Sequence, residues 1–432
     1  MSSILQTSDR HSLPIWCTPY LTVVLLLFSV VPQAIGGGFL LQQLGACGTG
    51  MGDVGIASPG DPLLVQRNPA SLALTSGTEL SLGTTVIMPD TRFTPVGMAE
   101  IKMNSQVLFP PEVTLTHSFA SGLSLGISAS TPFAFRSGWD DEWVGARATV
   151  GADLRIVIFS AGAAYRFSPP FSAGVSINLA FPRMQYSRRL PLVPAGSTDA
   201  LQSADGAGPT SIGFSLGMRY QPWKQLSLGL TYISRMAIHI NDAPIQYQDI
   251  PDSLLSIPLP AKLTAKFSTP DIIGAGVSLR PFAWLHFEVD GQYSFWSILK
   301  TVDVRYEDAA VEGSQMAPMT IPYYWRNSWT INAGAQVEIA GVFFRGGYVY
   351  DQTPVQDSEL RPALPDADRR GFSGGIGYWV SEGLRLDFAY EYLKFNDRQV
   401  GATVLNSVTV APAGLYKTSW NVIGFNVNYF WE

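Results

Sequence analysis

Proton-transfer catalysis needs a histidine within reach of a serine, a cysteine or a carboxylate. Past the first forty residues the chain offers only His117, His239 and His286. His286 lies in Leu285-His286-Phe287-Glu288-Val289-Asp290, where every second residue is polar. Residues two apart share one face of a strand, so His286, Glu288 and Asp290 read as a polar lining. No zinc-ligand spacing and no Gly-x-x-x-x-Gly-Lys-Ser/Thr phosphate loop occurs. No metal or cofactor is expected, and no enzyme. Of the two cysteines, Cys17 falls in the N-terminal stretch and Cys47 stands alone, so no intrachain disulfide is expected. Leu44-Gly45-Ala46-Cys47 imitates a lipoprotein cleavage box, but it lies too far beyond the apolar run to serve as one. Cys47 reads as a small buried residue.

The residues that dominate are apolar and alternating. The 432 residues are 46% hydrophobic and 12% aromatic, but only 14% charged. A soluble domain carries about 25% charged residues, so much of this surface does not face water. No apolar run reaches the ~20 residues of a membrane helix. A net charge of −6 gives no sign of nucleic-acid binding. The one long apolar run, residues 21–31, follows Arg10 and His11 and precedes Ala34, Ile35, Gly36 and Gly37. That is the grammar of a secretory signal peptide over 1–36, cleaved after Gly36 or Gly37.

From Thr78 onward the period is two. Leu384, Leu386, Phe388, Tyr390 and Tyr392 alternate with Arg385, Asp387, Ala389 and Glu391. Residues 171–179, 285–293 and 423–429 behave likewise, each with one apolar and one polar face. A soluble sandwich would also alternate. The connections decide: six short turns alternate with seven long polar loops, which gives fourteen strands. That predicts an all-β, 14-stranded antiparallel transmembrane barrel over 77–432, with short periplasmic turns and long extracellular loops. Among its strands are residues 226–240, 261–280, 285–304 and 328–339. The aromatic last strand, ending Tyr429-Phe430-Trp431-Glu432, suits recognition by the barrel-assembly machinery.

Residues 37–76 do not alternate. They read Gly38-Phe39-Leu40-Leu41, then a glycine-dense run, then Asn68-Pro69-Ala70. About forty residues are too few for an independent domain; folded inside the barrel they would form a hatch.

The pattern Gly38, Phe39, Leu41, Gly48, Gly50, Asn68, Pro69 and Ala70, followed by fourteen strands, resembles the FadL/TodX family of outer-membrane long-chain fatty-acid and hydrocarbon transporters. Tyr232-Ile233-Ser234, Tyr293-Ser294-Phe295-Trp296-Ser297, Phe344-Arg345-Gly346-Gly347-Tyr348, Asp351-Gln352-Thr353-Pro354-Val355 and Pro365-Asp366-Ala367-Asp368-Arg369 extend the likeness along the barrel. The resemblance implies a monomer in the outer membrane of a Gram-negative cell, surrounded by lipid and lipopolysaccharide. Its hatch, with Gly38, Asn68, Pro69 and Ala70 in gating roles, would block the lumen. A hydrophobic molecule would reach a site near Phe39 and leave sideways through a gap at the third strand. Ser130, Thr131 and Pro132 mark that gap, because proline cannot donate to a ladder. A fatty acid also needs a cation for its carboxylate, and Arg183 falls near a lumenal arginine of the family. Fatty acids, alkanes and monoaromatics all remain open as substrates. A general porin would lack the hatch, and a lipolytic barrel would hydrolyse an ester; these are the alternatives.

Overall fold

The structure, a computed structural model, describes residues 37–58, 65–191, 199–250, 259–307, 319–405 and 408–431. The expected signal segment, 1–36, lies outside the described residues.

Fourteen antiparallel strands form one closed wall. They are β1 (Gly77–Pro95), β2 (Pro111–Ser118), β3 (Leu123–Gly138), β4 (Gly151–Ser168), β5 (Phe171–Leu190), β6 (Ser211–Trp223) and β7 (Leu226–Ile233). The second half is β8 (Ile272–Phe282), β9 (Leu285–Ser294), β10 (Ser328–Ile339), β11 (Val342–Asp351), β12 (Arg369–Ser381), β13 (Leu384–Phe395) and β14 (Gly414–Trp431). β1 closes the ring against β14, from Thr78 opposite Trp431 to Pro95 opposite Gly414. Apart from one interruption between β2 and β3, closure leaves no unpaired edge in hydrocarbon, where each orphaned backbone group would cost several kcal/mol.

The alternation is inside out. On β13, Phe388, Tyr390 and Tyr392 face outward and exposed, while Asp387, Ala389 and Glu391 are buried inward. A water-soluble sheet would turn its apolar face to a protein core. Here the apolar face turns to lipid and the polar face to the lumen.

Five strands extend beyond the bilayer zone after a break. Ala200–Ala207 precedes β6, Ala237–Gln248 follows β7, Lys262–Ser268 precedes β8, Thr301–Glu307 follows β9 and Met319–Pro322 precedes β10. The alternation predicts unbroken strands over 226–240, 261–280 and 285–304, and the structure divides each of them. Pro270 has no N–H to give the ladder. Side chains take its place: Asp271 accepts from the Arg235 N–H (3.0 Å) and the Tyr232 hydroxyl (2.7 Å), and the Thr269 hydroxyl accepts from the Met236 N–H (2.8 Å). On the next strand a 3₁₀ turn, Trp296–Ile298, folds inward and buries Trp296 completely. Alternation persists across these breaks, so periodicity alone does not show them.

The short-turn end should face the periplasm and the long-loop end the outside. An epitope inserted after Ser358, which is exposed on a long loop, should bind antibody on intact cells. One inserted between Glu382 and Gly383 should bind only after permeabilisation, and the reverse pattern would invert the barrel.

Candidate functional site

Residues 37–58 and 65–76 lie within the lumen, almost entirely buried. Their regular structure is one short helix, Ala46–Gly50, and one 3₁₀ helix, Pro69–Leu74. The wall makes room with glycines on its inward face. A methyl at Gly174 of β5 would stand 2.6 Å from the Pro69 carbonyl, and one at Gly375 of β12 would stand 3.0 Å from the Gly50 Cα. At Gly217, Gly229, Gly334 and Gly347 an added Cβ would overlap Asn68, Ile56, Met51 and Gly52. Strand after strand, hatch backbone rests directly on wall backbone.

Polar bonds complete the fit. The N–H groups of Gly55 and Ile56 donate to Asp290 (2.6 and 2.9 Å), and that of Ala57 donates to Glu288 (2.8 Å). The N–H of Ala46 donates to Asn426 (2.7 Å). Arg67 donates to the carbonyls of Gln42 and Asp53, holding the two arms of the hatch together. Asn68 caps the 3₁₀ helix by accepting from the Ala70 N–H (3.1 Å) and donates to the Ile56 carbonyl (2.6 Å). Pro69 occupies the first helical position, where its missing N–H costs nothing.

The start of the hatch is pinned at the long-loop side. The Gly38 N–H donates to Asp366 (2.8 Å), which also accepts from the Thr353 hydroxyl (2.6 Å). Burial pushes the Asp366 carboxyl above the ordinary carboxylate range, and the nearby Arg369 charge pulls it back. Arg369 donates to the Leu40 carbonyl (3.2 Å) and to Asp351 (2.7 Å). Gly38 has a φ of +75°, and a methyl there would meet Trp325 and Trp296 at 3.0 and 3.1 Å. Only glycine combines that left-handed backbone with that closeness.

Phe39 is enclosed by rings. Its centroid lies 4.7 Å from Trp296, 5.7 Å from Trp325, 6.0 Å from Phe133, 6.1 Å from Phe267 and 6.2 Å from Phe135. Among the described residues neither buried indole N–H, of Trp296 or of Trp325, has an acceptor.

The same three hatch residues meet the third strand. The Leu41 N–H donates to the Pro132 carbonyl (2.8 Å), and the Ala134 N–H donates to the Phe39 carbonyl (3.0 Å). Thr131 and Pro132 together oppose the single residue Val157 of β4, a β-bulge. Burial runs unbroken from Ser130 to Ala134, so β3 bends into the lumen there. Its pairing with β2 ends at Val113 opposite Ala129. Pro110 and Pro111 stand on one side of the interruption and Pro132 on the other, none with an N–H to donate. The wall is therefore unladdered between β2 and β3, level with the lipid-facing Phe159.

The expected site residues thus fall into two groups and an outlier. Gly38, Phe39, Ser130, Thr131 and Pro132 meet at one place. Asn68, Pro69 and Ala70 sit deeper, against β5 and β6, and reach β3 through Gln66, which accepts from Ser130 (2.6 Å) and donates to Ser128 (3.3 Å). Arg183 joins neither group. It shares the outward face of β5 with Ile177 and Phe181, is exposed, and pairs with Asp205 at 2.9 Å. Pro182 holds the inward position instead. Gln66 and the prolines at 110 and 111 escaped sequence reasoning, and Asp366 entered it only within the family likeness, without a role; the paired prolines were the available signal.

The inward cation on β5 is Arg188. It lines a mostly apolar cavity of about 140 Å³ with Met184, Leu263, Val302 and Tyr306. Its described partners are neutral: Gln202 (3.1 Å) and the Tyr306 hydroxyl (3.3 Å). Met184 and Val302 also pack against the cluster that holds Phe39, so cavity and aromatic cage are one continuous apolar region. At the opposite end, His286 offers no relay. Its Nε2 meets both Ser278 (3.0 Å) and Glu288 (3.4 Å), whereas a triad needs one ring nitrogen for each partner.

A fourteen-strand antiparallel barrel filled by its own N-terminal segment has known counterparts. The family described as outer membrane protein transport protein (OMPP1/FadL/TodX) matches residues 27–431. The chain belongs to this family. It is 21% identical to a long-chain fatty acid transport protein of Escherichia coli O6:H1, over 93% of this chain and 97% of the relative. A Pseudomonas aeruginosa FadL homologue superposes with a TM-score of 0.79 at 19% identity, covering 92% of this chain and 100% of that one. The Pseudomonas putida toluene transporter TodX gives 0.72 at 15% identity, covering 91% and 99%. The protein is an outer-membrane β-barrel of a family of fatty-acid and hydrocarbon transporters.

Overpacking a filled interior costs about 1–3 kcal/mol. Gly217→Val should therefore unseat the hatch at Asn68 while the fourteen-strand ladder persists. Purified variant in a planar bilayer should conduct more than the parent, and an unchanged conductance would show that the hatch does not depend on the glycine contacts.

Proposed function

We propose that this protein takes up hydrophobic molecules carrying an anionic head, of the long-chain carboxylate kind, and releases them sideways into the outer membrane. The supporting observation is that Phe39 fills the aromatic cage while its own carbonyl and the Leu41 N–H bond to the bent part of β3. A molecule that displaces Phe39 must pull those two bonds. Entry into the cage and loosening of the wall are one motion.

The route starts at the cavity beside Arg188. A carboxylate there gains a charge-assisted bond from a guanidinium whose described partners are neutral. The tail lies along Met184 and Val302 toward the cage. Removing Phe39 from its cage costs on the order of 3–5 kcal/mol, which an apolar tail recovers at ~0.8 kcal/mol per buried CH₂. The hatch then shifts, with Asn68-Pro69-Ala70 and Gln66 coupling its deeper part to β3. The molecule passes between β2 and β3 into lipid and never has to enter periplasmic water.

If the ladder of β2 and β3 ran on, Pro111 would face Thr131. Crosslinking Pro111→Cys to Thr131→Cys with a short bifunctional thiol reagent should abolish uptake while leaving the barrel folded and ligand bound. Uptake that survives the crosslink would overturn lateral release. Arg188→Gln should lower uptake of a long-chain carboxylate about tenfold, the scale of one hydrogen bond to a charged group, and leave the matching alcohol unaffected. Equal loss for both would remove the carboxylate from the proposal.

A further inference from the structure

The outward face of the wall carries a feature that uptake does not use. At the long-loop end, basic residues stand directly opposite one another across neighbouring strands. Arg155 of β4 pairs in register with Arg183 of β5. Arg370 of β12 pairs with Lys394 of β13. Arg92 of β1 faces Lys417 of β14 on one side and Lys102 on the other. Like charges in register destabilise a sheet, and here the arrangement recurs at three places around one rim. It runs against the sign of the chain, whose net charge is −6.

These residues mark one depth. Arg183 follows Phe181 on the outward face of β5, Arg370 precedes Phe372 on β12 and Lys394 follows Tyr392 on β13. Phe181, Phe372 and Tyr392 are exposed, as lipid-facing side chains must be. On β5, β12 and β13 the basic positions are the next outward ones above the apolar band, where hydrocarbon gives way to headgroups; on β1, Asp90 stands between Arg92 and the band and also meets Lys102 at 3.7 Å. Internal carboxylates answer them only in part. Asp153 is shared between Arg136 (3.4 Å) and Arg155 (2.9 Å). Asp205 serves Arg183 at 2.9 Å, Asp397 lies 3.5 Å from Lys394, and Arg370 has the Asn396 amide oxygen at 3.5 Å and stands over the Tyr350 ring, 5.5 Å from its centroid. Asp90 and Glu100 both approach Arg92, at 3.4 and 3.3 Å. Pairs this exposed contribute about 0–1 kcal/mol each, so they do not account for the in-register repulsion.

We propose that this basic rim is a docking surface for the phosphate groups of outer-leaflet lipids. A phosphate seated between two guanidinium or ammonium groups turns their repulsion into two charge-assisted bonds, and arginine's planar fork suits it. Each basic side chain near an anionic membrane surface contributes about 1 kcal/mol. A lipid, unlike free phosphate, brings its phosphate to this depth because its acyl chains already lie against the band below. The inference rests on the outer-membrane location and not on the proposed uptake route.

The test uses the full-length protein in neutral detergent, offered diphosphorylated lipid A, the same lipid with its phosphates removed, or sodium phosphate. Native mass spectrometry and thermal unfolding are the readouts. The phosphorylated lipid should remain bound and raise the unfolding midpoint, and the other two should do neither. The double variants Arg155→Gln/Arg183→Gln and Arg370→Gln/Lys394→Gln should each weaken lipid binding about thirtyfold, with heat-modifiable gel mobility showing that the barrel is folded. Added salt should strip the lipid from the unaltered protein, a measurement independent of whether any variant folds. Equal retention of the dephosphorylated lipid, equal stabilisation by sodium phosphate, binding that survives salt, or folded variants that bind like the parent would each overturn the proposal.

Discussion

A folded hatch inside a closed fourteen-strand barrel leaves space for backbone against backbone and for little else. That steric limit governs the rest of the molecule. The wall is glycine where hatch backbone lies closest to it, as at Gly174, Gly217, Gly347 and Gly375. The hatch must in turn be glycine-dense and short in regular structure. With backbone so close to backbone, the hatch is not held by apolar packing alone. Its exposed N–H groups need acceptors, and Asp290, Glu288 and Asn426 supply them from the wall. The polar inward face of the strands is thus a docking surface for an otherwise poorly folding segment, as well as a lining.

One end of the hatch departs from this pattern. Phe39 is held by aromatic packing, and its flanking backbone completes a strand that the wall leaves unfinished. Two prolines on the β2 side and one on the β3 side remove the donors that would let the wall close on itself. The carbonyl of Pro132 is satisfied by the hatch instead. The hatch start is a substitute for missing ladder. The proposed coupling needs no distant signal, because aromatic cage and wall interruption share Phe39 and Phe133.

Much of the architecture was legible in the sequence. Turn lengths and period two give fourteen strands, and residues 328–339 are a strand to the residue. The breaks after β7, before β8 and after β9 were not legible, since side-chain bonds from Asp271 and Thr269 replace the ladder without disturbing alternation. On β5 the inward and outward positions turn on a single residue: Pro182 faces in, so Arg183 faces out and the lumenal cation is Arg188, two turns of the pleat and a residue further on. Phe39 and the segment 130–132 could be named from their motifs, but not that they touch. That contact joins residues about ninety apart, and no local pattern encodes it. Gln66 is invisible for the same reason; an amide two residues before Asn68 gains meaning only beside Ser128 and Ser130.

The two ends of the lumen differ in a way that bears on direction. Above and beside the hatch start the surfaces are aromatic and aliphatic. Below the hatch, at the short-turn end, a cavity of about 190 Å³ is lined by Arg280, Arg345, Arg385, His286, Gln336 and Glu338. Arg345 donates there to Asp387 at 2.6 Å, and Arg385 to the same carboxylate at 2.8 Å. An apolar chain moving down through that network would separate paired charges and gain no apolar surface in return, and breaking a buried pair costs about 3–5 kcal/mol. Moving sideways past Pro132 it exchanges one apolar surround for another. The charged floor and the interrupted wall therefore act in the same sense: each favours the proposed sideways release over passage to the periplasm for a greasy molecule in the cage.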